Sequence, residues 1–210
     1  FVLGFNMAPT DQLNFGVRFE SEVHLTFDQT VNLDDRGVLP FFGVTDGGKR
    51  NRNLPAIFAF GASYQANPKM RIETNFTYYL NEEADFPDIP TTTRDESAVD
   101  NGFDLGIAFE YAFTDTLKGS IGYLYTVTGV NAEDMTPEVP ELDAHTLGAG
   151  VAWEVIPNLD VNFGIGQVFY ESESFTRTIF ADYTGAPIQE GIKYEKDITF
   201  LAFGVEYKFM

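Results

Sequence analysis

The sequence predicts an all-β protein: an antiparallel transmembrane β-barrel, to which this chain contributes about nine strands. Apolar and polar residues alternate over segments of about 10 to 15 residues, which is long for the strands of a soluble protein. The connections alternate strictly between turns of about four residues and loops of about 15 to 25 residues. Short turns at one end, long loops at the other and strands with one apolar face are typical of outer-membrane barrels.

The last segment, residues 198–209, shows the alternation most clearly. One set of alternate residues is bulky and apolar: Leu201, Phe203, Val205, Tyr207 and Phe209. The other set is small or charged: Ala202, Gly204, Glu206 and Lys208. Because successive side chains of a strand point to opposite faces, this strand meets an apolar environment on one side and water or polar groups on the other.

The other strands follow the same pattern in chain order. They are predicted at residues 1–7, 13–28, 54–65, 70–81, 103–113, 117–129, 143–156 and 159–172. Turns that contain Pro, Asn or Asp join them in pairs, because these residues favour tight bends. The long connections between the pairs are rich in Gly, Pro and acidic residues, and we interpret them as irregular loops.

Ionic residues fall on the face opposite the bulky apolar set. They are Arg18, Glu20, Glu22, His24, Arg71, Glu73, Glu110, Glu154, Glu206 and Lys208. Such side chains are costly in a dry core unless they are paired, but they suit a wet or hydrogen-bonded lumen. We expect them to pair across strands and brace the barrel, with direct contact to a substrate as the alternative.

Aromatic residues near the strand ends are predicted to lie at the lipid headgroups. They are Tyr64, Tyr78, Tyr79, Tyr111, Phe113, Trp153 and Tyr207. The alternative is the ordinary preference of aromatic side chains for strands.

Composition excludes several classes of function. The net charge of −19 excludes nucleic-acid binding, which depends on Lys and Arg, and the acidic residues concentrate in the loops. The absence of Cys excludes disulfides and thiolate metal sites, and no apolar run is long enough for a transmembrane helix. The two histidines, His24 and His145, lie beside no recognisable nucleophile motif, so we expect neither an enzyme nor a cofactor or metal site.

The odd number of strands bears on domain organisation. Bacterial single-chain barrels normally have an even number of strands. We therefore interpret residues 1–210 as a single domain that forms the C-terminal part of a longer barrel, without a hatch domain. In the alternative interpretation, the first segment is a plug or linker and eight strands close alone.

Several segments together resemble a known family: residues 54–64 (LPAIFAFGASY), residues 143–151 (DAHTLGAGV), the Pro-Thr-Asp and Pro-Asn turns before Leu, and the terminal Tyr207-Lys208-Phe209. They resemble the C-terminal half of the FadL family of outer-membrane transporters. The resemblance implies a barrel of about 14 strands in the bacterial outer membrane, plugged by an N-terminal hatch. The nine segments would then be its sixth to fourteenth strands. The sequence departs from the family in two ways, since it contains neither the hatch nor the early strands, and Met210 follows the expected terminal Phe.

The resemblance implies passive transport of fatty acids or aromatic hydrocarbons, which leave the barrel sideways into the membrane. Apolar loop residues are candidates for an external capture groove, or pack the loops together: Phe41, Phe42, Phe175, Ile179 and Phe180. Inward apolar residues are candidates for pocket walls: Ile57, Leu124, Val168 and Phe200.

The expected partners are outer-membrane lipid, lipopolysaccharide and a hydrophobic small molecule, with another chain or an N-terminal segment completing the barrel. Two other functions stay open. A structural or adhesive barrel would bind a partner through its acidic loops and fill its lumen with side chains, and a polar-solute porin would have a wide aqueous channel.

Overall fold

Nine antiparallel strands pair in one sheet. The computed structural model describes residues 1–42, 44–84, 99–135, 140–181 and 186–209, with the backbone alone at 41, 42, 134, 177 and 179–181. The strands are β1 (Val2–Thr10), β2 (Leu13–Glu20), β3 (Thr26–Asp28), β4 (Lys49–Asn51), β5 (Ala56–Asn67), β6 (Met70–Leu80), β7 (Gly102–Ala112), β8 (Leu117–Val127), β9 (Ala144–Ile156), β10 (Leu159–Tyr170), β11 (Glu173–Ala181), β12 (Pro187–Tyr194) and β13 (Asp197–Tyr207). Short 3-10 helices lie at Leu39–Phe42, Asn81–Glu83 and Ala132–Asp134.

The order of strands in the large sheet is β1-β2-β5-β6-β7-β8-β9-β10-β13, so each strand pairs with its predicted neighbours along the chain. This confirms the nine predicted strands and their antiparallel pairing. Within the described residues, no helix has the length and apolar character needed to cross a bilayer.

The second strand is shorter than its alternation suggests. Residues 13–28 are predicted as one strand, but pairing in the large sheet ends at Glu20. Beyond it, Val23 and Leu54 exchange two backbone hydrogen bonds as an isolated bridge, and β3 then pairs with β4 alone. Pro55 has no N–H to donate, so the pairing of β5 cannot extend through it without a break.

The last long loop is also more regular than predicted. Where we expected an irregular connection, β11 and β12 form a two-stranded hairpin outside the large sheet. Pro187 is the first residue of β12, a position at which the missing N–H of proline is tolerated.

The two faces of the large sheet differ as the alternation predicts. Four residues predicted to face lipid are exposed: Leu105 (48%), Phe109 (39%), Val151 (47%) and Tyr207 (52%). The side chains of Glu20 and Glu110, on the opposite face, are each 32% exposed. Glu206 shares that face but lies on the edge strand β13, where it is exposed. Apolar side chains therefore cover the outer face.

The aromatic residues at strand ends divide between the two faces. Tyr64, Tyr111, Phe113, Trp153 and Tyr207 are exposed near the short turns. Tyr79 differs, because its hydroxyl donates a hydrogen bond to Asp104 at 2.8 Å on the inner face. The predicted headgroup position of Tyr79 is therefore wrong: alternation along β6 places neighbouring tyrosines on opposite faces.

A charged residue on the outer face should destabilise the protein even though the site is exposed. Phe163 is 51% exposed, and we expect Phe163→Lys to lower the free energy of unfolding in lipid by about 2 to 4 kcal/mol. The control is Asn162→Lys, one residue away on the inner face, which should change it by less than about 1 kcal/mol. Urea titration in phospholipid vesicles measures both variants, and equal effects would contradict the assignment of faces.

Candidate functional site

The inner face carries a row of residues that crosses the sheet from β2 to β13, here named the Asn14 row. Consecutive members are paired partners on neighbouring strands: Asn14, Ser63, Glu73, Ala108, Gly122, Gly148, Gly166 and Phe200. A parallel row, the Gly16 row, lies one inward position towards the long loops: Gly16, Gly61, Asn75, Gly106, Leu124, Thr146, Val168 and Ile198. Glycine is therefore concentrated on the inner wall.

These rows border a concave space of about 730 Å³. Its lining includes Gly16, Gly61, Gly122 and Gly148, where bare backbone forms the wall. A Cβ at Gly61 would come no closer than 3.8 Å to another atom, and one at Gly148 no closer than 3.9 Å. The volume is within the range of about 300–1,000 Å³ found for small-molecule sites. This cavity is the candidate binding site.

A network of charges lies between the cavity and the short turns. Arg71 contacts Glu73 on its own strand at 3.2 Å and Glu110 on β7 at 3.4 Å. Lys118 on β8 reaches Glu110 from the other side at 3.8 Å. All four side chains are partly exposed, so each contact contributes little alone. The two contacts to Glu110 are cross-strand pairs of the kind predicted from the inward charges.

A second polar cluster lies on the long-loop side of the cavity. Asp104 on β7 accepts hydrogen bonds from Tyr79 on β6 at 2.8 Å and from Thr126 on β8 at 2.6 Å. Because one carboxylate joins three strands, this cluster fixes their inner faces relative to one another. The cavity thus lies between two polar layers.

The predicted pocket-wall residues all lie on the inner face. Leu124 lines the cavity. Val168 and Phe200 lie farther along the same wall, and Ile57 pairs with Glu20 and Tyr79 nearer the long loops. The ring of Phe200 lies over Gly166, since a Cβ there would be 2.2 Å from it.

Phe175 takes a different place from the predicted capture groove. It packs against Tyr194, with 6.3 Å between ring centroids, in a cluster built on Met135, Leu142 and Tyr194. This contact favours the alternative, in which loop aromatics pack the loops together. The side chains of the other four candidates lie outside the described part of the chain: Phe41, Phe42, Ile179 and Phe180.

The same cluster joins two long loops at the outer end of the sheet. Leu142 is 1% exposed, and the hydroxyl of Tyr194 donates to the carbonyl of Met135 at 3.2 Å. Lys196 donates to the carbonyl of Pro140 at 2.9 Å and lies 4.1 Å from the ring centroid of Tyr170. The β11–β12 hairpin is therefore anchored to the loop that precedes β9.

The two histidines lie in unrelated environments. His24 contacts Asn53 at 3.0 Å near the first long loop. His145 lies on the outer face, 2.7 Å from the Tyr123 hydroxyl and 3.2 Å from Glu171. Among the described residues, no three His, Asp or Glu side chains are grouped so that they could hold a metal ion.

The alternation of apolar and polar residues does not by itself predict the glycine wall, because a single glycine in a strand more often marks curvature or close approach. A signal was present. Gly148 and Gly150 on β9, and Gly164 and Gly166 on β10, recur at the inward period of two. Four glycines at the inward positions of two paired strands indicate a wall without side chains.

A cavity on the inner face of a sheet whose outer face is apolar is the architecture of an outer-membrane channel. Residues 1–209 match the family described as outer membrane protein transport protein (OMPP1/FadL/TodX). The chain belongs to this family. The predicted family, and with it the bacterial outer membrane as location, is confirmed. No curated protein sequence matches this chain.

Three solved structures share the fold of this FadL/TodX chain. A Pseudomonas aeruginosa FadL homologue is 18% identical with a TM-score of 0.72, over 98% of this chain and 51% of that one. The P. putida toluene transporter TodX is 12% identical with a TM-score of 0.57, over 99% and 48%. The Ralstonia pickettii toluene transporter TbuX is 12% identical with a TM-score of 0.53, over 98% and 46%. The chain spans about half the length of these structures.

Removal of one hydroxyl should test the cluster around Asp104. We expect Tyr79→Phe to lower the free energy of unfolding by about 1.5 to 3 kcal/mol, because the charged Asp104 carboxylate loses the hydrogen bond that the Tyr79 hydroxyl donates. Tyr78→Phe, the adjacent outward tyrosine, is the matched control and should change it by less than about 0.5 kcal/mol. Thermal unfolding of the detergent-solubilised protein, followed by the shift of its band on gels, measures both. Equal losses would contradict the cluster.

Proposed function

We propose that the protein admits hydrophobic small molecules, fatty acids or aromatic hydrocarbons among them, into the outer membrane by passive diffusion. The observation that supports this most is the cavity of about 730 Å³, whose lining includes six glycines, Gly122 and Gly148 among them. A glycine wall leaves room for a ligand within a sheet of fixed strand spacing. TodX and TbuX are toluene transporters by name, which agrees with such a cargo.

The charged network opposes movement of the ligand towards the short turns. A hydrophobic molecule that moved from the cavity towards the short turns would have to cross the layer of Arg71, Glu110 and Lys118. Contact with a hydrophobic ligand would desolvate these charged groups, which costs free energy. The molecule therefore leaves sideways into the membrane, and no chemical step on it is part of the proposal.

The outer face has lipid as its partner, including lipopolysaccharide in the outer leaflet. In hydrocarbon, every backbone group must be hydrogen-bonded, and an open sheet edge is not tolerated. β1 and β13 are the two edges of the large sheet and are not paired with each other. We propose that further strands, from another segment or another chain, complete the wall.

The two alternative functions have less support. A structural barrel would fill its interior with a ladder of Arg and Glu side chains, but the cavity separates the pair of Arg18 and Glu20 from that of Arg71 and Glu110. A porin for polar solutes would need hydrated groups along its whole path, whereas the lining of this space is mixed: Gly122, Gly148 and Leu124 lie among polar residues such as Glu73 and Thr146.

A side chain placed in the cavity should block transport. We expect Gly148→Leu to lower initial uptake of a fatty acid and of toluene by about tenfold, the effect of roughly 1.4 kcal/mol. Gly204→Leu is the matched control, since a Cβ there would also come no closer than 3.8 Å to another atom but would lie outside the cavity lining. Uptake is measured in cells with equal amounts of each variant in the outer membrane. Undiminished uptake by Gly148→Leu would overturn the proposal.

A further inference from the structure

The outer face of the large sheet carries one glycine. Among the described residues of the nine strands, every other glycine lies at an inward position, whereas Gly119 on β8 pairs with the outward residues Tyr111 and Val151. A glycine in a strand often marks a place where another group approaches the backbone closely. Gly119 therefore makes a depression in a surface that is otherwise covered by apolar side chains.

A groove of about 390 Å³ lies at this depression. Its walls are side chains of the outer face: Met70, Phe109, Tyr111, Phe113, Ile121 and Val151. Its three other lining residues besides Gly119 lie at inward positions, so they border the groove through their backbone. The ring of Phe113 rests against Gly119, since a Cβ there would be 2.7 Å from it, and both residues border the open space.

The groove begins at the short turns and continues into the apolar part of the wall. Met70 is the first residue of β6, and Phe113 directly follows β7. Phe109 lies four residues before Phe113, which is about 13 Å of extended chain at roughly 3.3 Å per residue. The apolar band of an outer-membrane barrel is about 25 Å tall, so one leaflet accounts for about 12 Å. The groove therefore extends through most of the leaflet on the side of the short turns.

Two opposite charges flank the turn end of the groove. The four short turns are residues 11–12, 68–69, 113–116 and 157–158. Lys69 is their only Lys or Arg. Its carbonyl accepts a hydrogen bond from the backbone N–H of Ala112 at 2.8 Å, so Lys69 lies beside the end of β7 and next to the groove residue Met70. Asp115 lies in the turn that contains Phe113, and both charged side chains are exposed.

These two charges complement a head group that carries both a phosphate and an ammonium. Lys binds phosphate as a point charge, and the Asp115 carboxylate attracts a cation. A head group with a phosphate but no ammonium would leave Asp115 facing a like charge, which costs free energy. Each exposed ion pair contributes little, so the charges select the head group while packing of an acyl chain in the groove holds the lipid.

We infer that the groove binds one phospholipid with an ethanolamine head group from the periplasmic leaflet, which is the leaflet at the short turns. One acyl chain lies over Gly119 between Phe113 and Val151, the phosphate contacts Lys69, and the ammonium contacts Asp115. The inference concerns the outer face and goes beyond the proposed function, because it does not depend on what the lumen transports.

Native mass spectrometry of the full-length protein in detergent tests the inference. The protein is incubated with equal amounts of phosphatidylethanolamine and phosphatidylglycerol that carry the same acyl chains. We expect one bound lipid, with the ethanolamine lipid favoured about fivefold, the scale of two exposed ion pairs. Asp115→Asn should remove this preference, and Lys69→Gln should weaken the binding of both lipids.

Val151→Trp tests the groove itself, because the larger side chain fills it. We expect it to reduce the binding of both lipids about tenfold, the effect of roughly 1.4 kcal/mol. Val155→Trp is the matched control, since Val155 lies on the same face of β9, is 40% exposed against 47% for Val151, and is outside the groove lining. It should bind lipid as the wild type does. The heat-dependent shift of the band on gels verifies that each variant is folded.

Three results would overturn the inference. Val151→Trp would bind as much lipid as the wild type, Val155→Trp would lose as much as Val151→Trp, or the wild type would bind both lipids equally. Lys69→Gln changes only an exposed turn residue, so it tests the phosphate contact even if Val151→Trp does not fold. Full lipid binding by Lys69→Gln would likewise refute the site.

Discussion

The structure depends on one constraint: in hydrocarbon, each backbone N–H and C=O must find its partner within the sheet. The pairing of neighbouring strands satisfies it everywhere except at the free edges of β1 and β13, since the register runs without a break across the middle of the wall. Register shifts in the large sheet occur only beside short turns, as between Gln65 and Asn67. Irregular backbone is thereby kept at the end of the sheet, where water is available.

A continuous ladder leaves side chains as the variable part of the wall. On the outer face they must be apolar, because lipid surrounds them. On the inner face no such demand applies, and glycine, charge and amide groups are all found there. The inner face is layered as a result: Arg71 and its carboxylates towards the turns, the glycine-lined cavity in the middle, and Asp104 with its donors towards the loops. Transport is a property of this middle layer.

Period-two alternation predicted most of the fold because it is a local signal. It placed Leu105 and Val151 outside and Leu124 and Val168 inside without knowledge of any partner strand. Alternation predicted the structure less well in segments whose conformation depends on a partner strand or on the environment. The segment after Glu20 still alternates but leaves the sheet, and the hairpin of β11 and β12 was interpreted as an irregular loop.

The sequence by itself determined the nine strands of the large sheet, the two unlike faces of that sheet and the family, since alternation, turn residues and short motifs are all read within one segment. Only the tertiary structure decided which inward residues become neighbours. Asn14, Ser63 and Glu73 come from three strands, and their shared row follows from register, a non-local property. The cavity is likewise a property of the assembled wall, because glycines on separate strands border one space only when their strands are paired.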